Sequence, residues 1–125
     1  MSSLDLEFLL SLKKQGYIPH HASVIEIGTQ QLAASFLNSH ELIEMIAKEF
    51  GICWPYPLLS PSTLYNENGT EILSEQSPYS RFFWQCLGFK YASIDIDDHP
   101  TSTPLDLNFD SIKKSMKGKF SLVTN

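Results

Sequence analysis

The pattern of apolar and polar positions predicts four helices. They cover residues 4–14, 39–50, 77–87 and 110–116, where apolar side chains recur at helical spacing or a capping residue precedes such a run. A glycine follows each of them within two residues, as is common at helix ends. The side chains expected to face the core are Leu6, Phe8, Leu9 and Leu10, then Leu42, Ile43, Ile46, Ala47 and Phe50, then Phe82, Phe83, Cys86 and Leu87, with Trp84 flanking.

Four strands are predicted between these helices, at residues 23–28, 91–95, 103–107 and 120–124. The first is short, β-branched and nearly all apolar, as a central parallel strand should be. Alternation of helices and strands predicts an α/β fold with a mostly parallel sheet. Only a few residues separate Asp97 from the third strand, fewer than the dozen or so of a usual parallel crossover. The third segment is therefore either an extended loop or a strand in a locally different topology.

Composition limits the function classes. The 125 residues suit one domain, and the 42% of apolar residues suffices for a core. The net charge of -5 disfavours a general nucleic-acid binder. Lysines cluster near the C-terminus and are interpreted as the solvated end of the fourth helix, where cations suit the helix dipole. These lysines are Lys113, Lys114, Lys117 and Lys119.

The compartment is predicted to be cytoplasmic. The N-terminus lacks the basic and apolar regions of a signal peptide, and no apolar run approaches the length of about 20 residues that a membrane span needs. Cys53 and Cys86 form no CxxC pair, so they are expected to be reduced core thiols, and no metal site is predicted. Residues 52–76 are rich in Pro, Ser, Asn and Gly and form a predicted loop-rich insertion, either a lid that contacts substrate or a structural loop.

The groups that suggest chemistry follow the predicted strands. In open α/β sheets, ligands bind beyond the carboxyl ends of the strands. The first strand ends in Glu26-Ile27-Gly28-Thr29-Gln30, the second ends on Asp95, and Asp106-Leu107-Asn108 closes the third. A glycine lets the backbone approach a ligand closely, and a carboxylate at a strand end can accept hydrogen bonds from a ribose diol.

These motifs resemble those of class I S-adenosylmethionine (SAM)-dependent methyltransferases. Residues 24–28 resemble the first motif of that family, residues 93–95 the second, and residues 104–108 with 117–125 the third and fourth. The resemblance covers roughly residues 15–125, apart from the insertion. It implies a Rossmann-like sheet of which this chain holds the first three or four strands, as the N-terminal part of one methyltransferase domain.

The resemblance also implies roles for individual residues. Glu26, Gly28, Thr29 and Gln30 would lie against the methionine part of SAM, and Asp95 would bind the ribose. Asp106 and Leu107 would lie by the adenine, and Asn125 would open the segment facing the methyl acceptor, which is unidentified. Catalytic residues are expected beyond Asn125.

A second hypothesis is a degenerate, non-catalytic methyltransferase-like module that binds a nucleotide or serves as a scaffold. A dehydrogenase is a weaker third hypothesis, because the GxGxxG fingerprint is absent.

Overall fold

A computed structural model of the chain describes residues 3–32, 39–54, 79–96 and 102–125. The described elements are three helices and four strands. Helix α1 covers Ser3–Lys14, strand β1 Ser23–Ile27, helix α2 His40–Glu49, helix α3 Ser80–Cys86, strand β2 Lys90–Asp95, strand β3 Thr103–Pro104 and strand β4 Leu122–Thr124. Most of the predicted insertion, residues 55–76, lies outside the described residues, as does the predicted start of the third helix at residues 77 and 78.

The four strands form one all-parallel sheet in the order β3-β2-β1-β4. Strand β1 is central: Ser23 pairs with Lys90 of β2, and Val24 pairs with Leu122 of β4. The predicted α/β class, with a parallel sheet flanked by helices, is thus confirmed, and it agrees in general terms with a Rossmann-like fold. Strand β4 lies at the edge of the sheet.

Strand alternation decides which side chains meet the helices, because successive residues point to opposite faces of a sheet. Val24 of β1 joins a core cluster with leucines and isoleucines of α1 and α2 and aromatic residues of α3, and Tyr91 and Leu122 pack against this cluster. Glu26 shares that face with Val24. Ile25 and Ile94 are also buried, but they lie on the opposite face and outside that cluster.

Helix α3 packs through a different set of residues than expected. Phe83, Trp84 and Leu87 are buried, whereas Phe82 is 56% exposed and Cys86 is half-buried. Trp84 makes edge contacts with Phe83 and with Phe89, whose ring centroids lie 5.3 and 5.1 Å away. In an unbroken run of three aromatic residues, spacing alone does not show which two face inward, and the tertiary contacts decide it.

Two further packing predictions were wrong in part. Phe8 is 63% exposed, while the predicted partners Leu6, Leu9 and Leu10 are buried. Cys53 is exposed and therefore is not a core thiol; burial raises the pKa of the half-buried Cys86 thiol. In α2, Ile43, Ile46 and Ala47 are buried as predicted, and Leu42 and Phe50 pack at the margin of the core.

The fourth predicted helix, residues 110–116, does not form: the chain there is irregular, with turns at residues 114–118. This segment has only two apolar side chains at helical spacing, Ile112 and Met116. Their packing would provide about one apolar contact per helical turn, which is too little to offset the cost of helix nucleation. The third strand is shorter than predicted, at two residues, and it pairs in parallel with the end of β2. Because β3 pairs only with the last two residues of β2, the connection between them has to run back along β2 by only about two residues, and a long crossover is not needed.

Candidate functional site

Glu26 is the most deeply buried ionisable residue of the described chain, with none of its surface exposed. The Ser80 hydroxyl lies 2.6 and 2.7 Å from the two carboxylate oxygens. The Tyr91 hydroxyl donates to Oε2 at 2.7 Å, and the backbone N–H of Gln30 donates to the same oxygen at 3.1 Å. These donors replace the water that a buried carboxylate loses, which is why the sheet tolerates it.

Tyr91 is held in its neutral form by this arrangement. Burial of the phenol, and then the hydrogen bond to Glu26 and the charge of that carboxylate, raise the pKa of Tyr91 well above its ordinary value of about 10. Smaller contributions from the Ser93 and Ser80 hydroxyls act in the opposite direction. Tyr91 therefore serves as a hydrogen-bond donor to Glu26 throughout the neutral range.

The loop after β1 is joined to the end of β2. Gly28 has a φ of +77°, in the left-handed region that glycine adopts at little cost, and its N–H donates to Ile94 O at 2.7 Å. The backbone N–H of Thr29 donates to Asp95 Oδ2 at 2.7 Å. The Asp95 carboxylate thus lies directly against the glycine turn, although 66 residues separate the two in sequence.

Three hydroxyls extend this connection to β3. The Ser102 hydroxyl lies 2.8 Å from Thr29 Oγ1 and 2.6 Å from Ser93 Oγ. Hydrogen bonds therefore join the carboxyl ends of β1 and β2 to the start of β3. Such a network fixes the position of the glycine turn relative to the neighbouring strands.

A cavity of about 190 Å³ lies between the carboxyl ends of β1 and β4 and the helices α1 and α3. Its walls are mostly apolar, with a few polar groups. The residues that line it are Asp5, Phe8, Leu9, Leu12, Glu26, Gln30, Trp84, Leu122, Val123, Thr124 and Asn125.

Two of the residues that line this cavity carry a buried polar atom with no hydrogen-bond partner among the described residues: Trp84 Nε1 and Thr124 Oγ1. Trp84 is 2% exposed. Buried polar groups are nearly always paired, so these atoms offer a donor and a hydroxyl to a polar group that enters the cavity. The described lining residues include the carboxylates of Asp5 and Glu26 but no Lys, Arg or His, which favours a positively charged group in the cavity.

The structure brings together some of the predicted site residues and separates others. Glu26, Gln30 and Asn125 line the cavity, while Gly28, Thr29 and Asp95 form the adjoining turn. Asp106 and Leu107 lie apart from the cavity.

The Asp106 carboxylate is engaged within its own turn, where Oδ1 accepts hydrogen bonds from the backbone N–H and the side-chain amide of Asn108, at 2.9 and 3.1 Å. Leu107 lines a second cavity on the opposite sheet face, with Ile25 and Ile27.

Four residues at the site were not predicted as site residues from the sequence: Ser80, Trp84, Tyr91 and Thr124. Pairing Val24 with Tyr91 puts residues 91 and 93 on the Glu26 face, so strand register would have found Tyr91. Ser80 comes from a helix whose position no sequence pattern fixes.

No protein-family model, curated protein or solved structure matches the chain. Among the described residues, no helix is long and apolar enough to cross a membrane, and no three His, Cys, Asp or Glu side chains are grouped as a metal site.

Proposed function

We propose that the chain forms the cofactor-binding part of a SAM-dependent methyltransferase, which transfers a methyl group to an unidentified acceptor. The observation that carries this proposal is the place of the cavity. It lies at the carboxyl ends of β1 and β4, with Glu26 and Gln30 on one side and Thr124 and Asn125 on the other. In open parallel sheets, ligands bind outside the strand ends where the strand order reverses.

Strand order supports the Rossmann-like assignment. From β1 the chain adds β2 and β3 on one side and then β4 on the other. The order 3-2-1-4 is that of the first four strands of the doubly wound dinucleotide-binding sheet, and the reversal falls between β1 and β4.

The donors and acceptors at the cavity suit the amino-acid end of the cofactor. The carboxylates of Glu26 and Asp5 suit an ammonium or sulfonium cation, while the unpartnered N–H of Trp84 and hydroxyl of Thr124 suit a carboxylate. The cavity volume of about 190 Å³ is below the roughly 300–1,000 Å³ of sites that enclose drug-sized ligands. The cavity therefore fits the methionine part, and the nucleoside would lie over the glycine turn, toward Asp95.

The chemistry that bound SAM supplies is an electrophilic methyl group on sulfur, transferred by direct displacement as the sulfur takes back its bonding electron pair. The residues of this chain would bind and orient. Glu26 and Asp5 would offset the positive charge, the Gly28 turn would let the backbone come close, and Asp95 would accept hydrogen bonds from the ribose hydroxyls.

One observation favours the second candidate, a non-catalytic scaffold of the same fold. The Glu26 carboxylate already accepts hydrogen bonds from Ser80, Tyr91 and Gln30, which is the environment of a structural carboxylate. Under that hypothesis Glu26 fixes α3 against the sheet, and the cavity has no cofactor.

The test is ultraviolet cross-linking of SAM carrying a tritiated methyl group to the 125-residue chain. The proposal predicts covalent label that S-adenosylhomocysteine suppresses and NAD does not. Peptide mapping should place the label within residues 24–30 or 122–125. A folded chain that takes up no competable label would contradict the proposal and favour the scaffold.

A further inference from the structure

A second surface is formed by residues 107–119, which combine exposed apolar side chains with lysines. Leu107, Ile112 and Lys117 of this segment lie on the sheet face away from the helices. Phe109 is 89% exposed, Ile112 43% and Leu107 42%. A cavity of about 300 Å³ lies beneath, between the sheet residues Ile25, Ile27 and Ile94 and the segment that contains Leu107 and Ile112. We call this the basic apolar surface; its members are Leu107, Phe109, Ile112, Lys113, Lys114, Lys117 and Lys119.

The four lysines of this surface are exposed, and within the described part of the chain none of them is paired with a carboxylate. Their interpretation as a helix end is wrong, because residues 110–116 contain no helix. The acids of the same segment, Asp106 and Asp110, accept hydrogen bonds from the backbone N–H groups of Asn108 and Asp106. A locally positive surface is therefore present on a chain whose net charge is -5.

The position of Phe109 is fixed by its turn. The backbone N–H of Phe109 donates to Asp106 O at 3.1 Å, and Asp106 Oδ1 accepts from the N–H of Asn108 at 2.9 Å. The backbone at Phe109 is thus held in a hydrogen-bonded turn and its side chain is exposed, and the lysines that follow have no carboxylate partner among the described residues. Large apolar side chains beside lysines are the composition of surfaces that lie in the interface of an anionic bilayer.

We propose that the basic apolar surface binds peripherally to an anionic lipid bilayer. Phe109 and Ile112 enter the headgroup region, and the lysines contact the acidic headgroups. Insertion of a small apolar group gives only marginal membrane affinity, and stable attachment needs a second signal such as a basic patch. This surface has both exposed apolar side chains and lysines. An acidic protein segment is the competing occupant; seated on the apolar cavity, it would not cover Phe109, which is 89% exposed and does not line that cavity. This proposal does not depend on the cofactor.

The test is co-sedimentation of the 125-residue chain with vesicles of phosphatidylcholine alone and with 30% phosphatidylserine. The experiment compares the wild type with Lys113→Gln/Lys114→Gln/Lys117→Gln and with a matched triple variant, Lys14→Gln/Lys48→Gln/Lys90→Gln. The second variant removes the same charge from exposed lysines elsewhere. A further variant, Phe109→Ser, tests the apolar contribution without touching the core.

The expected result is binding to the phosphatidylserine vesicles only. Each lysine near an anionic surface raises the membrane partition coefficient about fivefold, so the first triple variant should lower that coefficient roughly a hundredfold. Phe109→Ser should lower it about tenfold, because it removes an apolar side chain from the headgroup region. The matched variant should stay within about threefold of the wild type, because its lysines lie outside the contact. Equal losses in both triple variants would overturn the proposal. So would the absence of phosphatidylserine-dependent binding, which would favour an acidic protein partner instead.

Discussion

The Ser80 hydroxyl lies within 2.7 Å of both carboxylate oxygens of Glu26, and both residues are fully buried. This contact joins the start of α3 to the centre of the sheet, across 54 residues of sequence. It sets the orientation of the carboxylate that the proposed cofactor site requires. The stability of the fold and the geometry of the site are therefore coupled through one buried group.

Loss of either side-chain donor to Glu26 should destabilise the chain. We expect Ser80→Ala and Tyr91→Phe each to lower the free energy of unfolding by about 1.5–3 kcal/mol, because each removes a hydrogen bond to a buried charge. Urea unfolding measures this. The exposed residues Ser115 and Tyr17 provide matched controls, and Ser115→Ala and Tyr17→Phe should change the free energy by less than about 0.5 kcal/mol. Equal effects at buried and exposed positions would contradict the network.

Tyr91 should also give the stability a specific alkaline dependence. Its pKa is raised in the folded state, so its contribution is fully present below the unfolded value of about 10 and is lost as the pH rises beyond it. The difference in free energy of unfolding between wild type and Tyr91→Phe should be constant from pH 7 to 9 and shrink above pH 10. Urea titrations at several pH values measure it. A difference that stays constant to pH 11 would show that Tyr91 ionises normally in the folded chain.

Thr124 allows binding to be separated from stability. Its hydroxyl is buried and has no partner in the described part of the chain, so Thr124→Val removes an unsatisfied group and should leave the free energy of unfolding unchanged or raise it by up to about 1 kcal/mol. If a cofactor pairs with that hydroxyl, the same variant should weaken cofactor binding by about fivefold or more. Thermal unfolding with and without S-adenosylhomocysteine reports both quantities. A variant that is destabilised and binds normally would assign the hydroxyl to the fold alone.

Gly28 should be required for its backbone conformation and not for lack of space. No atom outside its immediate neighbours lies within 4 Å of the position that a Cβ would take, but its φ is +77°. We expect Gly28→Ala to cost about 1–2 kcal/mol and Gly28→Asn to cost less, because asparagine tolerates the left-handed region better. Chemical denaturation of the two variants decides this. If asparagine proved the worse substitution, crowding at the turn would be the cause.

The positions of most helices and strands could be predicted from the sequence, whereas the side chains that pack between them could be predicted only in part. Strand β1 was recognisable because a central parallel strand is apolar on both faces, and Gly28 marked its end. The helix predicted over residues 110–116 failed because too few apolar contacts support it. Which of Phe82, Phe83 and Trp84 face inward depends on tertiary packing that no periodicity encodes.

The candidate site was predictable only in part, for a related reason. Glu26 and Asp95 lie at the carboxyl ends of β1 and β2 and Gly28 follows β1, so their convergence at one sheet edge follows from parallel topology. Ser80 and Trp84 come from a helix beyond a long connection, and their approach to Glu26 depends on how α3 packs. Asp106 also follows a strand, but its carboxylate is engaged by the neighbouring Asn108, a local competition typical of aspartate in turns.

The most direct test of the central claim is isothermal titration of S-adenosylhomocysteine into the chain, into Asp95→Ala and into Glu41→Ala. Glu41 is an exposed carboxylate on α2 and controls for lost charge. The account predicts micromolar binding by the wild type and Glu41→Ala, and a loss of tenfold or more, about 1.4 kcal/mol, for a folded Asp95→Ala. No binding by the folded wild type, or equal binding by all three, would contradict a cofactor site at the ends of β1 and β2.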